Sequence, residues 1–187
     1  VRAFIAIELD EAIRRKLSDV QDRLRHCAVR VKWTKPAQMH LTLKFLGEID
    51  ERQADAVCEA LGAASRVAAP FEMTVAGLGA FPPRGAPRIL WAGVRESSGT
   101  LAALHGRLER ELSALGFEAE RRGFEPHVTI GRVKDRRPRG LREAVAGSVE
   151  TCFGTQRVGD VVLMQSRLTA KGPVYTELFR CTLTKHE

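Results

Sequence analysis

The chain has 187 residues, 44% hydrophobic and 28% charged, a balance that excludes a disordered chain. No apolar run approaches the roughly 18 residues of a membrane-spanning helix. Thirty lysines and arginines against 23 acidic residues leave a net charge of +7, which favours an anionic partner such as nucleic acid. The four cysteines, Cys27, Cys58, Cys152 and Cys181, form no C-x-x-C pair, so buried, reduced thiols are expected rather than a zinc framework.

In chain order, "VRAFIAIELDE" lacks the basic and long apolar segments of a secretory leader, so a cytoplasmic location is expected. "RAFIAIEL" reads as a buried strand. Ile13, Leu17, Val20 and Leu24 then recur at helical spacing, with Asp10 placed to cap that helix. "VKWTKPAQ" is a short strand or turn leading into a strong strand, "MHLTLKFLGEI". "DERQADAVCEALGAASRV" predicts a helix with Ala54, Val57, Cys58 and Leu61 inward. "FEMTVAGLGAF" predicts a strand passing into a Gly/Pro loop, with "GLGAF" itself read as loop because it lacks the dinucleotide fingerprint. "RILWAGVRE" is a strand, and the leucines at 101, 104, 108, 112 and 115 make the clearest helix, stopped by Gly116. "PHVTIGRV" is a strand and "RGLREAVAGS" a short helix. "QRVGDVVLMQSRL" and "VYTELFRCTLT" read as two strands paired across "TAKGP". Mixed elements without regular β-α-β alternation predict an α+β fold with largely antiparallel sheets.

Two strands share a grammar. His40 and Thr42 fall on one face of "HLTLKFLGE", and His127 and Thr129 on one face of "PHVTIGRV", because side chains alternate with a period of two. The repeated pattern predicts a pseudo-duplicated, two-lobed unit with one motif per lobe. Neither motif contains an acid, which argues against a serine-hydrolase triad. Two histidines are too few for a catalytic metal, so none is expected. A histidine pair without metal fits general acid–base catalysis, since both protonation states are accessible near neutral pH. The threonine hydroxyls suit the nonbridging oxygens of an anionic substrate, and Arg132 lies three residues after Thr129. The densest basic stretch, Arg121 to Arg142, surrounds His127. His105, within the leucine helix, reads as structural. His26 ends the first helix, where a cation complements the dipole, and His186 lies in the tail. Trp33 and Trp91 read as packing residues, and Tyr175, after a Gly-Pro turn, as a neighbour of the site.

Paired H-x-[ST]-x motifs of this kind, inside "W..P..MHLTLKFLGE", "GLGAFPPRGAPRILWAGV", "PHVTIGRV" and "QSRL...GPVYTEL", resemble the 2H phosphoesterase superfamily. The resemblance is greatest to the bacterial and archaeal RNA 2′,3′-cyclic phosphodiesterases, historically called 2′-5′ RNA ligases, and it covers nearly all of residues 1–187. It implies one domain of two intertwined lobes with a pseudo-two-fold relation. Each lobe would carry an antiparallel sheet with flanking helices, and the active cleft would lie between them. It implies metal-independent hydrolysis of RNA 3′ ends carrying a cyclic phosphate to a 2′-phosphate, with no cofactor, and the reverse 2′-5′ joining of RNA halves, with tRNA halves among the candidate substrates. The motif residues map to His40, Thr42, His127 and Thr129, the phosphate-contacting arginine to Arg132, and the base-stacking aromatic to Phe45. His40 is assigned as acid on O3′ and His127 as base on water, with the exchanged assignment left open. Relatives often carry a basic residue before Pro-His, where this chain has Glu125. Two alternatives remain: a module that binds RNA ends with little catalysis, and a phosphodiesterase of small cyclic nucleotides. No extended heptad seam predicts a dimer, so a monomer is expected.

Overall fold

The computed structural model describes residues 1–27 and 29–184, so the expectation for His186 lies outside the described residues. The strands are β1 (Arg2–Glu8), β2 (Val31–Trp33), β3 (His40–Glu48), β4 (Phe71–Phe81), β5 (Ile89–Arg95), β6 (His127–Val133), β7 (Cys152–Val158), β8 (Asp160–Thr169) and β9 (Gly172–Thr182). The helices are α1 (Glu11–Leu24), α2 (Glu51–Arg66), α3 (Thr100–Ala114) and α4 (Leu141–Ala146). The fold is α+β with antiparallel pairing throughout the described ladder, as expected. Strand order is β7-β4-β5-β6-β3-β1-β8-β9, with β2 added on β6. Two four-stranded blocks therefore meet at β3 and β6, joined by one backbone pair, Leu41 with Val128.

The helices cover one face of this sheet. Helix α1 follows β1 of one block yet packs on β7 of the other, where α4 also covers β4. Helix α3 follows β5 and packs on α2, which lies over β8 and β9. Each block is thus sheltered partly by a helix whose preceding strand belongs to the other, and one apolar core runs through both. The opposite sheet face is largely bare of helices. There a small cluster of Phe4, Ala6 and Val162, with Met164 and Tyr175 against it, forms the floor beside His40. Among the described residues no helix is long and apolar enough to cross a membrane.

Four expectations change. "GLGAF" is the end of β4 rather than loop. Its Gly77 has φ 75 at a register shift between Ala76 and Leu78, where a Cβ would come within 2.7 Å of the Val149 carbonyl oxygen. These glycines serve a kinked strand and close packing. "QRVGDVVLMQSRL" is not one strand: it breaks at Gly159, sending β7 beside β4 and β8 beside β1, at opposite ends of the sheet. Continuous apolar alternation across that break hid it. Asp10 occupies the N-cap position without a side-chain cap. Gln156 holds this corner instead, accepting from the Asp10 backbone N–H at 2.9 Å and donating to the Glu8 carbonyl at 3.0 Å. Of the cysteines, all free, only Cys181 is buried; Cys27 and Cys58 are half-buried and Cys152 is exposed.

Candidate active site

The bridge between Leu41 and Val128 decides the site. Residues directly paired in an antiparallel ladder send their side chains to the same face, and both of these are fully buried toward the helices. Their neighbours along each strand must therefore face the bare side. The register that pairs 41 with 128 sets His40 across from Thr129 and Thr42 across from His127. All four motif side chains thus surround a single point on one sheet face.

The two strands repeat the same irregularity. In β3, Thr42 pairs with Ala6 while Lys44 pairs with Ile5, so one residue is inserted. In β6, Thr129 pairs with Trp91 while Gly131 pairs with Leu90, again with one residue inserted. Such a bulge flips the alternation. Residues 45 and 132, which a regular strand would turn away from the histidines, are returned to their face. The burial sequence of the first seven residues is identical in the two strands. Phe45 is 69% exposed and Arg132 is exposed, both on the cleft side.

Each imidazole is held in the same way. His40 Nδ1 lies 2.8 Å from the Gln38 carbonyl and His127 Nδ1 2.7 Å from the Glu125 carbonyl. A carbonyl only accepts, so Nδ1 carries the proton and donates. That leaves Nε2 of both rings available for chemistry. Glu125, the departure from the related pattern, thus contributes through its backbone while the residue itself is exposed. The rings are also boxed by aromatics. His40 stacks on Phe4 at 4.7 Å and meets Tyr175 edge-on at 5.3 Å; His127 meets Phe81 edge-on at 5.1 Å and lies 6.2 Å from Trp91. Gln38 ties this together, since its side chain donates to the Pro173 carbonyl at 2.6 Å and so fixes the hairpin bearing Tyr175.

Burial lowers the His40 pKa, against the hydrogen bond to Gln38 that raises it, with Arg14 adding to the lowering and Glu8 opposing it. Tyr175 is raised by burial and pulled back by the Arg132 and Arg2 guanidiniums, so Arg132 of one block acts electrostatically on the tyrosine of the other. Thr42 and Thr129 are half-buried, and among the described residues their hydroxyls take no part in the side-chain hydrogen bonds. No three His, Cys, Asp or Glu side chains converge among the described residues. His105 is structural, as expected: it stacks on Phe124 at 3.8 Å behind the sheet. The aromatic partners Phe4, Phe81 and Trp91 carried no sequence signal beyond lying at strand positions.

Comparison with known proteins identifies the family. The model of the LigT-like phosphoesterases matches residues 7–91 and 93–175. The chain belongs to that family. The RNA 2′,3′-cyclic phosphodiesterase of Methanothermobacter thermautotrophicus is 37% identical over 95% of this chain and 96% of its own. That of Archaeoglobus fulgidus is 36% identical over 95% of this chain and 98% of its own. Among solved structures, TT0787 of Thermus thermophilus superposes with a TM-score of 0.83 at 31% identity, over the whole of both chains.

Gly79 gives this LigT-like phosphoesterase a structural test close to the site. Gly79 pairs with Trp91, and a Cβ there would overlap the indole that stands beside Phe81 and His127. Gly79→Ala is expected to cost about 1–3 kcal/mol through overpacking, read by urea denaturation, and to lower kcat through the displaced His127. A variant with unchanged stability and kcat would show that the indole has room to move.

Proposed function

We propose that this phosphoesterase hydrolyses RNA 2′,3′-cyclic phosphate ends to 2′-phosphates by two-histidine acid–base catalysis without a metal. The observation that carries the reading is the convergence of both imidazoles on one face, each with Nδ1 committed to a carbonyl and Nε2 free among the described residues. The names of the relatives at 36–37% identity support the substrate class.

In this reading the cyclic phosphate sits between the two motifs. Thr42, Thr129 and Arg132 donate to its nonbridging oxygens, stabilising the charge that grows as water adds to phosphorus. Phe45 lies against the terminal base, a contact worth about 1–3 kcal/mol in single-strand binders. Water attacks opposite O3′, losing its proton to one histidine, while the other protonates O3′ as its bond to phosphorus breaks. The products are a 2′-phosphate and a free 3′-hydroxyl. His40 is assigned as the acid on O3′ and His127 as the base on water, with the exchanged roles as the alternative. A 5′-hydroxyl of a second RNA in place of water would give a 2′-5′ diester from the same site.

The test is turnover of a short RNA ending in a 2′,3′-cyclic phosphate, with EDTA present and the product identified. EDTA-resistant release of the 2′-phosphate is expected. A 3′-phosphate would overturn the leaving-group assignment, and loss of activity in EDTA would overturn the metal-free mechanism. A substrate carrying sulfur in place of O3′ separates the roles, since a thiolate leaves without a proton. It should rescue a His40 variant and not a His127 variant; the opposite pattern would exchange the two roles.

A further inference from the structure

Lys32 stands directly across from Arg132 in the ladder between β2 and β6. Directly paired residues share a face, with Cβ atoms about 5 Å apart. Arg132 faces the cleft because of the bulge in β6, so Lys32 faces the cleft as well. Its neighbours agree with that orientation. Val31 and Trp33 pack toward the core, over the surface that a Cβ on Gly131 would occupy.

This pairing is unfavourable by itself. Like charges directly opposite destabilise a sheet, and β2 is only three residues long and pairs with β6 alone among the described strands. Among the described residues neither Lys32 nor Arg132 takes part in an ion pair with a carboxylate. The acid closest in sequence, Asp135, is engaged by Arg30, through the backbone N–H at 2.7 Å and the guanidinium at 2.9 Å. Lys32 also borders a shallow hollow of about 510 Å³ at the sheet edge, shared with Arg25, Arg30, Trp33 and Lys134.

We infer that Lys32 forms, beside Arg132, a second phosphate subsite for the phosphodiester on the 5′ side of the terminal nucleotide. Arg132 takes the reacting cyclic phosphate, and Lys32, on the adjacent strand, takes the next phosphate of the chain. The unfavourable pair becomes favourable when two linked anions lie across it. Lys32 is therefore a specificity residue that distinguishes an RNA end from a free cyclic mononucleotide. The inference rests on the proposed RNA-end activity.

The experiment compares a 2′,3′-cyclic mononucleotide with a trinucleotide ending in the same group, for wild type, Lys32→Ala, Lys32→Glu and Lys32→Arg, at several salt concentrations. On the trinucleotide, Lys32→Ala is expected to lower kcat/KM about fivefold, the scale of one exposed ionic contact, through KM rather than kcat. Lys32→Glu should lower it further and Lys32→Arg restore it. The slope of log(kcat/KM) against log[salt] should become shallower by about 0.7, one single-strand phosphate contact. Mononucleotide turnover should not respond to Lys32→Ala. Equal losses on both substrates, or no loss on either, would overturn the subsite. If wild type turns over neither substrate, the functional reading itself fails. Fluorescence anisotropy with a labelled trinucleotide ending in a 2′-phosphate then decides on the subsite: unchanged affinity in Lys32→Ala rejects it, and weakened affinity retains it.

Discussion

Alanine in place of His40 or His127 is expected to lower kcat/KM on a cyclic-phosphate-ended RNA by about 10³-fold, within the range that a positioned acid or base contributes. The two losses should not multiply in the double variant, because in the proposed mechanism acid and base act in one concerted step and either absence removes its benefit. Asparagine should rescue neither, since its amide cannot relay a proton. Retained far-UV circular dichroism and melting midpoint separate this loss from unfolding, which matters for His40 because its ring stacks on Phe4 and touches Tyr175. Either single variant keeping more than a tenth of wild-type kcat/KM would remove that histidine from the chemistry. The pH profile carries the sign of the His40 shift. With its pKa lowered, His40 stays neutral on acidification past the ordinary histidine range near ~6.5. The limb of the kcat/KM profile that reports His40 should accordingly fall below that range. Folding linkage runs the same way for His40 and for His105, which burial also lowers. The unfolded chain takes up these protons at higher pH than the folded one, so stability declines as pH drops through about 6.5 toward the folded values.

The second large effect lies behind the site. Lys44 is 9% exposed on β3, and its Nζ reaches Glu109 of α3 at 2.9 Å and the Glu118 carbonyl at 2.6 Å. Glu109 in turn accepts from the Glu120 backbone N–H at 3.0 Å, and His105 stacks on Phe124. These contacts fasten the segment that ends at Glu125, whose carbonyl orients His127. Lys44→Met leaves Glu109 without its cation in a mostly buried place, where breaking an ion pair costs about 3 kcal/mol. Urea denaturation should show that loss, and kcat should fall as the Glu125 carbonyl drifts. Lys44→Met with Glu109→Leu should recover much of the stability, because the orphaned charge is gone. The deficit of Lys44→Met should also shrink between about pH 8 and pH 5.5. Lys44 is one cause of the lowered His105 pKa while Glu109 raises it, so without Lys44 the imidazole protonates more readily against Glu109. A pH-independent deficit would remove His105 from this network.

How much of this was legible beforehand varies residue by residue. His40, Thr42, His127 and Thr129 stood out from the sequence, because a two-residue period is local and the H-x-T pattern repeats. The helices α1, α2 and α3 were legible for the same reason, their apolar positions recurring at helical spacing. The aromatic boxes were not. Phe4 and Trp91 lie on strands distant in sequence from the histidines they flank, and only the order β7-β4-β5-β6-β3-β1-β8-β9 brings them alongside. Phe45 was legible only through family resemblance, and Arg132 through its spacing three residues after Thr129 and the same resemblance. Period two places both on the wrong face, and the one-residue insertions after Thr42 and Thr129 that return them are visible only in the pairing with β1 and β5. Lys32, read from sequence as part of a short strand or turn, acquired its meaning from the residue opposite it.

The sequence by itself determined the candidate reacting groups and the faces of the strands that bear them, since backbone alternation is a property of a few consecutive residues. The tertiary structure decided which strands meet, where each ladder slips by one residue, and which carbonyl holds each imidazole. Those are pairings between segments far apart in the chain, set by how the whole sheet buries its apolar face, and no local pattern encodes them.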